Sequence, residues 1–119
     1  LQMARWDFRH LSVLEMTEIK KWSLYAVICN DSSIYVGITT DVQRRLHEHN
    51  NTKKGAKYTR SRRPVSIVYI ESHSDRSSAS KAEARYKKLK RSDKIKSFGI
   101  RVNEGKLLYN KIYIDTKGL

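Results

Sequence analysis

The run from Trp22 to Asn50, WSLYAVICNDSSIYVGITTDVQRRLHEHN, limits what this chain can fold into more than any other stretch. Trp22 to Cys29 is rich in aromatic and β-branched residues, Asn30-Asp31-Ser32-Ser33 is turn chemistry, and Ile34 to Ile38 resumes the strand pattern. A helix is expected next. Thr40 followed by Gln43 has the capping-box form, and Asp41 places a negative charge in the first turn. On that helix Val42, Arg45, Leu46 and His49 recur at i, i+3, i+4 and i+7, so two apolar residues share a face with Arg45 and His49. An arginine there either lays its stem along the core with its head in water or has a task, and spacing alone leaves both open. Arg44, one position round, is expected to be solvated.

The chain then becomes strongly basic. Asn51 to Arg63, NTKKGAKYTRSRR, carries Lys53, Lys54, Lys57, Arg60, Arg62 and Arg63 around Gly55 and Tyr58. Such a loop either holds a phosphate backbone, with Tyr58 free to stack on an unpaired base, or is simply solvated. Pro64 ends it. Val65 to Ser72 reads as the central strand, with Val65, Ile67 and Tyr69 alternating against Ser66, Val68 and Ile70. After a turn over His73 to Ser78, a second helix runs from about Ser77 to Lys90, capped by Asp75 or Ser77. Ala79, Ala82, Glu83, Tyr86 and Leu89 follow helical spacing, which turns the lone acid of that helix toward its apolar face. An inward carboxylate is costly unless paired or metal-bound, so Glu83 is an ion-pair partner for a core arginine or a metal ligand.

A short third helix is expected over Ser92 to Phe98 with Ser92 as its cap, and Leu107 to Ile114 reads as an extra strand at a sheet edge. Leu1 to Lys21 reads as an arm or helix, with Leu11, Leu14 and Glu18 at near-helical spacing; Trp6 and Phe8 read first as docking it on the core and second as stacking on bases. His10, His47 and His73 read as surface or loop residues. The fold class is therefore α+β: β-β-α-β-α-α around a three-stranded, mostly antiparallel sheet flanked by helices. The expected units are an arm over 1–21, a main domain over 22–98 and an extension with a strand over 99–119.

With 119 residues, one core is expected. Charge decides the partner: 25 Lys+Arg against 12 Asp+Glu give a formal net charge of +13, which points to a polyanion, nucleic acid first. No apolar run approaches ~20 residues and no secretory pattern is visible, so no membrane partner and an intracellular, cytoplasmic or nucleoid-associated setting are expected. The single cysteine, Cys29, excludes an internal disulfide or a cysteine-rich zinc site.

Ser23-Leu24-Tyr25, Tyr35-Val36-Gly37, Arg45, His49 and the continuation KGAKYTR together resemble the catalytic core of the GIY-YIG nucleases, or URI domains, and in particular their small stand-alone bacterial members. The resemblance spans about Trp22 to Phe98. It implies a DNA phosphodiesterase. Glu83 matches the family's metal-binding glutamate on the helix after the third strand, which implies Mg²⁺ or Mn²⁺, a hard cation suited to one carboxylate plus waters and phosphate oxygens. Tyr25 matches the general base, Tyr35 would position water or a phosphate oxygen, Arg45 would hold a non-bridging oxygen, and His49 would bond Tyr25 or assist proton transfer. As an isolated pair, Tyr25 and Tyr35 read first as a cross-strand aromatic contact, and Arg45, His49 and Glu83 in register turn the reading to catalysis. Ser23-Leu24 stands where the family has Gly-Ile, and Val36 where it has Ile, substitutions that keep the strand and both tyrosines. The family's terminal asparagine finds two candidates, Asn103 and Asn110, and neither is assigned. With only its basic surface, arm and final strand for recognition, the chain is expected to select single-stranded or branched DNA rather than a sequence. The rivals are a catalytically silent nucleic-acid-binding module and a sequence-specific homing or restriction nuclease.

Overall fold

The computed structural model describes residues 3–6, 22–108 and 112–115. In chain order the elements are β1 (Met3–Trp6), β2 (Trp22–Ile28), β3 (Ile34–Thr39), α1 (Val42–Asn51), the single turn α2 (Lys57–Arg60), β4 (Ser66–His73), α3 (Arg76–Lys87), α4 (Arg91–Ser97), β5 (Arg101–Asn103), β6 (Lys106–Leu108) and β7 (Ile112–Asp115). The β2–β3 hairpin closes through a turn in which Ser32 takes a left-handed φ of 67°. Asp31 holds that turn by accepting from the Ser33 amide at 3.0 Å and from the Ser33 hydroxyl at 2.6 Å.

β2 is antiparallel to both β3 and β4, which is the expected three-stranded core. Two strands extend it: β7 lies parallel to β4 and β1 antiparallel to β7, giving the order β1-β7-β4-β2-β3. β4 is thus the middle strand. Alternation along β2 sends Leu24, Ala26 and Ile28 to one face and Tyr25, Val27 and Cys29 to the other. The first face packs under α3 and α4 with Ala82, Tyr86, Ile95 and Phe98; the second packs under α1 with Val42 and Leu46. Helices on both faces are why every residue from Ser23 to Cys29 is buried.

Several expectations need correction. The simple alternation expected along β4 breaks at a bulge opposite Ala26 and Val27, which moves Tyr69 to the face opposite Ile67. The cap of α1 is Asp41, whose carboxylate accepts from the Arg44 amide, while Thr39 rather than Thr40 braces it by accepting from the Asp41 amide. Asp75 caps α3, whereas α4 begins at Arg91 with Lys90 ahead of it and no side-chain cap. Leu107 to Ile114 is not one strand. Glu104 and Gly105 both take positive φ, so β6 folds back on β5 as a separate ribbon, and only β7 joins the main sheet, inside it rather than at its edge. Met3–Trp6 is strand; Phe8, His10, Leu11, Leu14, Glu18 and Asn110 lie outside the described residues. Among the described residues no helix is long and apolar enough to cross a membrane.

His73 is not a surface residue. It is buried at the end of β4, with Nε2 2.6 Å from Glu71 Oε2 and Nδ1 2.6 Å from the Ser78 hydroxyl. Glu71, also buried, accepts from the hydroxyls of Tyr69 at 2.7 Å and Tyr86 at 2.8 Å. This polar knot joins β4 to α3 within an otherwise apolar layer, beside the Tyr69, Tyr86 and Phe98 rings.

Candidate active site

Tyr25 is central to the opposite face of the sheet. It pairs across the hairpin with Gly37, and its phenol lies over that glycine: a Cβ added there would stand 2.6 Å from the hydroxyl oxygen and 2.8 Å from Cζ. A glycine is therefore required by close approach, and Gly37→Ala is expected to destabilise the fold by about 1–3 kcal/mol in urea denaturation as the ring is pushed aside. A variant as stable as the parent would mean the ring has room.

α1 brings His49, fully buried, to Tyr25: the phenol oxygen is 2.6 Å from Nε2. On its other side His49 Nδ1 is 2.8 Å from the Thr59 hydroxyl, which also lies 3.0 Å from the Ala56 carbonyl. Tyr35 completes the cluster, its ring 5.5 Å from His49 and 6.5 Å from Tyr25. Burial pushes the Tyr25 hydroxyl well above the ordinary phenol range, with Tyr35 and Glu83 adding to the rise, while the neighbouring Arg45 guanidinium opposes it. Burial, and then Arg45, push His49 down to about 4. At neutral pH both groups are uncharged.

Arg45 is half-buried, and its Nη1 is tied to Glu48 at 2.9 Å and to the Lys54 carbonyl at 2.8 Å. The arginine on the packing face therefore has a fixed head. Glu83 is less enclosed than its helical spacing implied, and its ion-pair partner is Lys87 on the next turn, at 3.0 Å, rather than a core arginine. Lys87 in turn lies 6.0 Å from the Tyr35 ring. Among the described residues no group of three or more His, Cys, Asp or Glu converges as a metal cage. A lone carboxylate fits only a cation that takes its remaining ligands from water and substrate.

The basic loop divides. Lys53, Lys54, Lys57 and Arg60 are exposed. Arg63 points inward and donates to the carbonyls of His49, Glu48 and Thr52, closing the end of α1. Arg62 donates to Asp31 at 3.0 Å and to the Tyr58 carbonyl at 2.8 Å, with its guanidinium 3.9 Å over the Tyr58 ring. Tyr58 stacks on Tyr35 at 5.9 Å and 22° and has the Arg62 guanidinium over its ring, so its aromatic surface is already engaged within the protein although the residue is exposed. Sequence reasoning missed Thr59 and Glu48. The signal for Glu48 was its i+3 spacing from Arg45. Thr59 left none beyond its place inside KYTR, because a threonine in a basic loop is usually solvated.

The model of the GIY-YIG catalytic domain matches residues 21–96. A UPF0213 protein of Desulfotalea psychrophila is 53% identical over 73 residues, 61% of this chain and 66% of the relative's length. One of Listeria innocua is 43% identical over 91 residues, 76% of this chain and the whole of the relative. The solution NMR structure of an E. faecalis protein, 42% identical, covers 69% of this chain and 90% of that one with a TM-score of 0.45. The hairpin tyrosines, the α1 arginine and histidine and the α3 glutamate all fall within the matched span, and the chain belongs to the GIY-YIG family, alongside the small UPF0213 proteins.

Proposed function

We propose that this chain is a metal-assisted DNA endonuclease that prefers single-stranded or branched substrates. A nuclease-type function follows from the family; the base, the cation and the substrate form are our reading. The observation that carries it is the buried 2.6 Å contact between Tyr25 and His49, with Arg45 and Glu83 near enough to act on the phenol.

A phenol held above its ordinary range cannot wait as phenolate at neutral pH. Tyr25 instead takes a proton from the attacking water as its own proton passes to His49 Nε2, so no free phenolate is needed. His49 is suited to this because its ring is neutral beforehand. Arg45, which helps to depress His49, is also the group that would receive a non-bridging phosphate oxygen. Substrate binding would thereby offset its charge and make His49 a better acceptor just as the reaction begins. Glu83 would hold Mg²⁺ or Mn²⁺, which when bound neutralises the phosphate and assists the leaving oxygen. Lys53, Lys54, Lys57 and Arg60 would grip the backbone, giving a salt-dependent affinity, and an unpaired base would stack on Tyr58 by displacing Arg62 from its ring.

The test is cleavage of labelled single-stranded, duplex and branched DNA with Mg²⁺ or Mn²⁺, with EDTA, and with Glu83→Ala. Cutting should stop in EDTA and fall at least about 10²-fold in the variant, a loss of the size expected when one electrostatic stabiliser is removed. The fold should be intact, since Glu83 is only half-buried and a solvent-accessible i, i+4 pair contributes about 0.3–0.5 kcal/mol. Binding of all three DNAs in low salt with no cutting of any would instead favour a silent binding module.

A further inference from the structure

We infer that Thr59 is a positioning residue: its hydroxyl holds His49 in the tautomer that carries the ring proton on Nδ1 and leaves the Nε2 lone pair facing Tyr25. The inference rests on the nuclease reading above and deepens its proton path. The Thr59 oxygen stands between two groups, His49 Nδ1 at 2.8 Å and the Ala56 carbonyl at 3.0 Å. The Ala56 carbonyl, which also takes the Thr59 and Arg60 amides, can only accept, so the one assignment that makes both hydroxyl contacts hydrogen bonds has the hydroxyl donate to Ala56 and its oxygen accept Nδ1–H. A neutral imidazole has one N–H. Nε2, 2.6 Å from the phenol oxygen, must then accept, and Tyr25 must donate.

The local structure is built to hold that one hydroxyl. α2 is a single turn whose buried residue is Thr59, while Lys57, Tyr58 and Arg60 face outward. Two features press the turn against α1. Gly55 lets the backbone approach so closely that an added Cβ would stand 2.9 Å from the Glu48 carbonyl. Arg63 crosses from the far end of the loop to the carbonyls of Glu48, His49 and Thr52. The residue that looked like one more polar member of a phosphate-gripping loop is thus its inward anchor.

The chemical consequence is specific. With Nε2 free to accept, one O–H bond of water breaks as its proton joins the Tyr25 oxygen and the Tyr25 proton moves to Nε2; the water oxygen bonds to phosphorus as the P–O bond to the 3′ oxygen breaks, that oxygen leaves and is protonated from solvent, and His49 ends as imidazolium. In the opposite tautomer Nε2–H donates to the phenol, which then has no acceptor for its proton, and the path is closed.

The experiment uses the full chain with ¹⁵N-labelled histidine, as wild type, Thr59→Ser and Thr59→Val. Two-bond ¹H–¹⁵N spectra report which ring nitrogen of His49 bears the proton, and cleavage of the labelled DNAs reports function. Wild type and Thr59→Ser should show the Nδ1–H form and cut within about threefold of one another. Thr59→Val should lose that form and cut about 10²–10⁴-fold more slowly, the range associated with loss of an effective proton-transfer partner. The inference is overturned by an Nε2–H tautomer in wild type, a measurement that needs no variant to fold. It is also overturned by a Thr59→Val protein that keeps the Nδ1–H form, or that changes tautomer yet cuts like wild type. A wild type that cuts no DNA refutes the nuclease reading instead, whatever the tautomer spectra give.

Discussion

Tyr25→Phe is expected to slow DNA cleavage by about 10²–10⁴-fold while leaving the fold recognisably intact, because the substitution deletes one oxygen and keeps the ring over Gly37. In the proposed path that oxygen carries the proton from the attacking water to His49, whose Nε2 lies 2.6 Å away. Its loss also leaves the buried Nε2 of His49 without its 2.6 Å partner, which should cost about 1–3 kcal/mol in denaturant titration. Rate and stability therefore need to be measured on the same protein. A rate within about threefold of wild type would take Tyr25 out of the proton path and leave Tyr35 or a free hydroxide as the source of attack.

The second large effect concerns the other face of the sheet. Glu71→Ala is expected to lower stability by about 3–5 kcal/mol, seen as a melting temperature lower by roughly 10–20 °C in circular dichroism. The carboxylate is shared by Tyr69, Tyr86 and His73, and its removal takes the common acceptor from three groups in a water-poor layer. Glu71→Gln should be milder, since an amide oxygen can still accept from the two tyrosines. An unchanged melting temperature in Glu71→Ala would show that the three side chains find other partners at little cost.

Much of this was legible in the chain. Apolar alternation and turn chemistry located β2 and β3, and helical spacing put Val42 and His49 on the buried side of α1, where both are found. What failed did so for identifiable reasons. Thr40 and Asp41 are adjacent, and only backbone geometry decides which caps. The Leu107 to Ile114 pattern cannot reveal that Glu104 and Gly105 reverse the chain and give its two halves different partners. Arg63 and Lys57 look alike as charges, but only one lies within reach of the open carbonyls ending α1. His73 was misplaced because Ser74, Asp75, Ser77 and Ser78 after it read as turn, whereas β4 runs through it and Glu71 compensates its burial.

That polar knot on the helical layer also bears on how the chain finds a single alignment of its strands. Leu24 pairs with Glu71 and Tyr25 with Ile70, so neighbouring positions of the same two strands serve opposite faces. A slide of one residue would invert every side chain of β2, turning the phenol toward α3 and a leucine toward His49. Apolar residues alone resist this weakly here, because both faces of the sheet are oily and a leucine is welcome on either. Glu71 and His73 are not interchangeable in that way, since their hydrogen-bonding partners, Tyr86 and Ser78, come from α3 on one side only. By making misaligned pairings leave buried hydrogen-bonding groups unmatched, a cluster on the far face of the sheet acts as the key that selects the register in which Tyr25 meets His49.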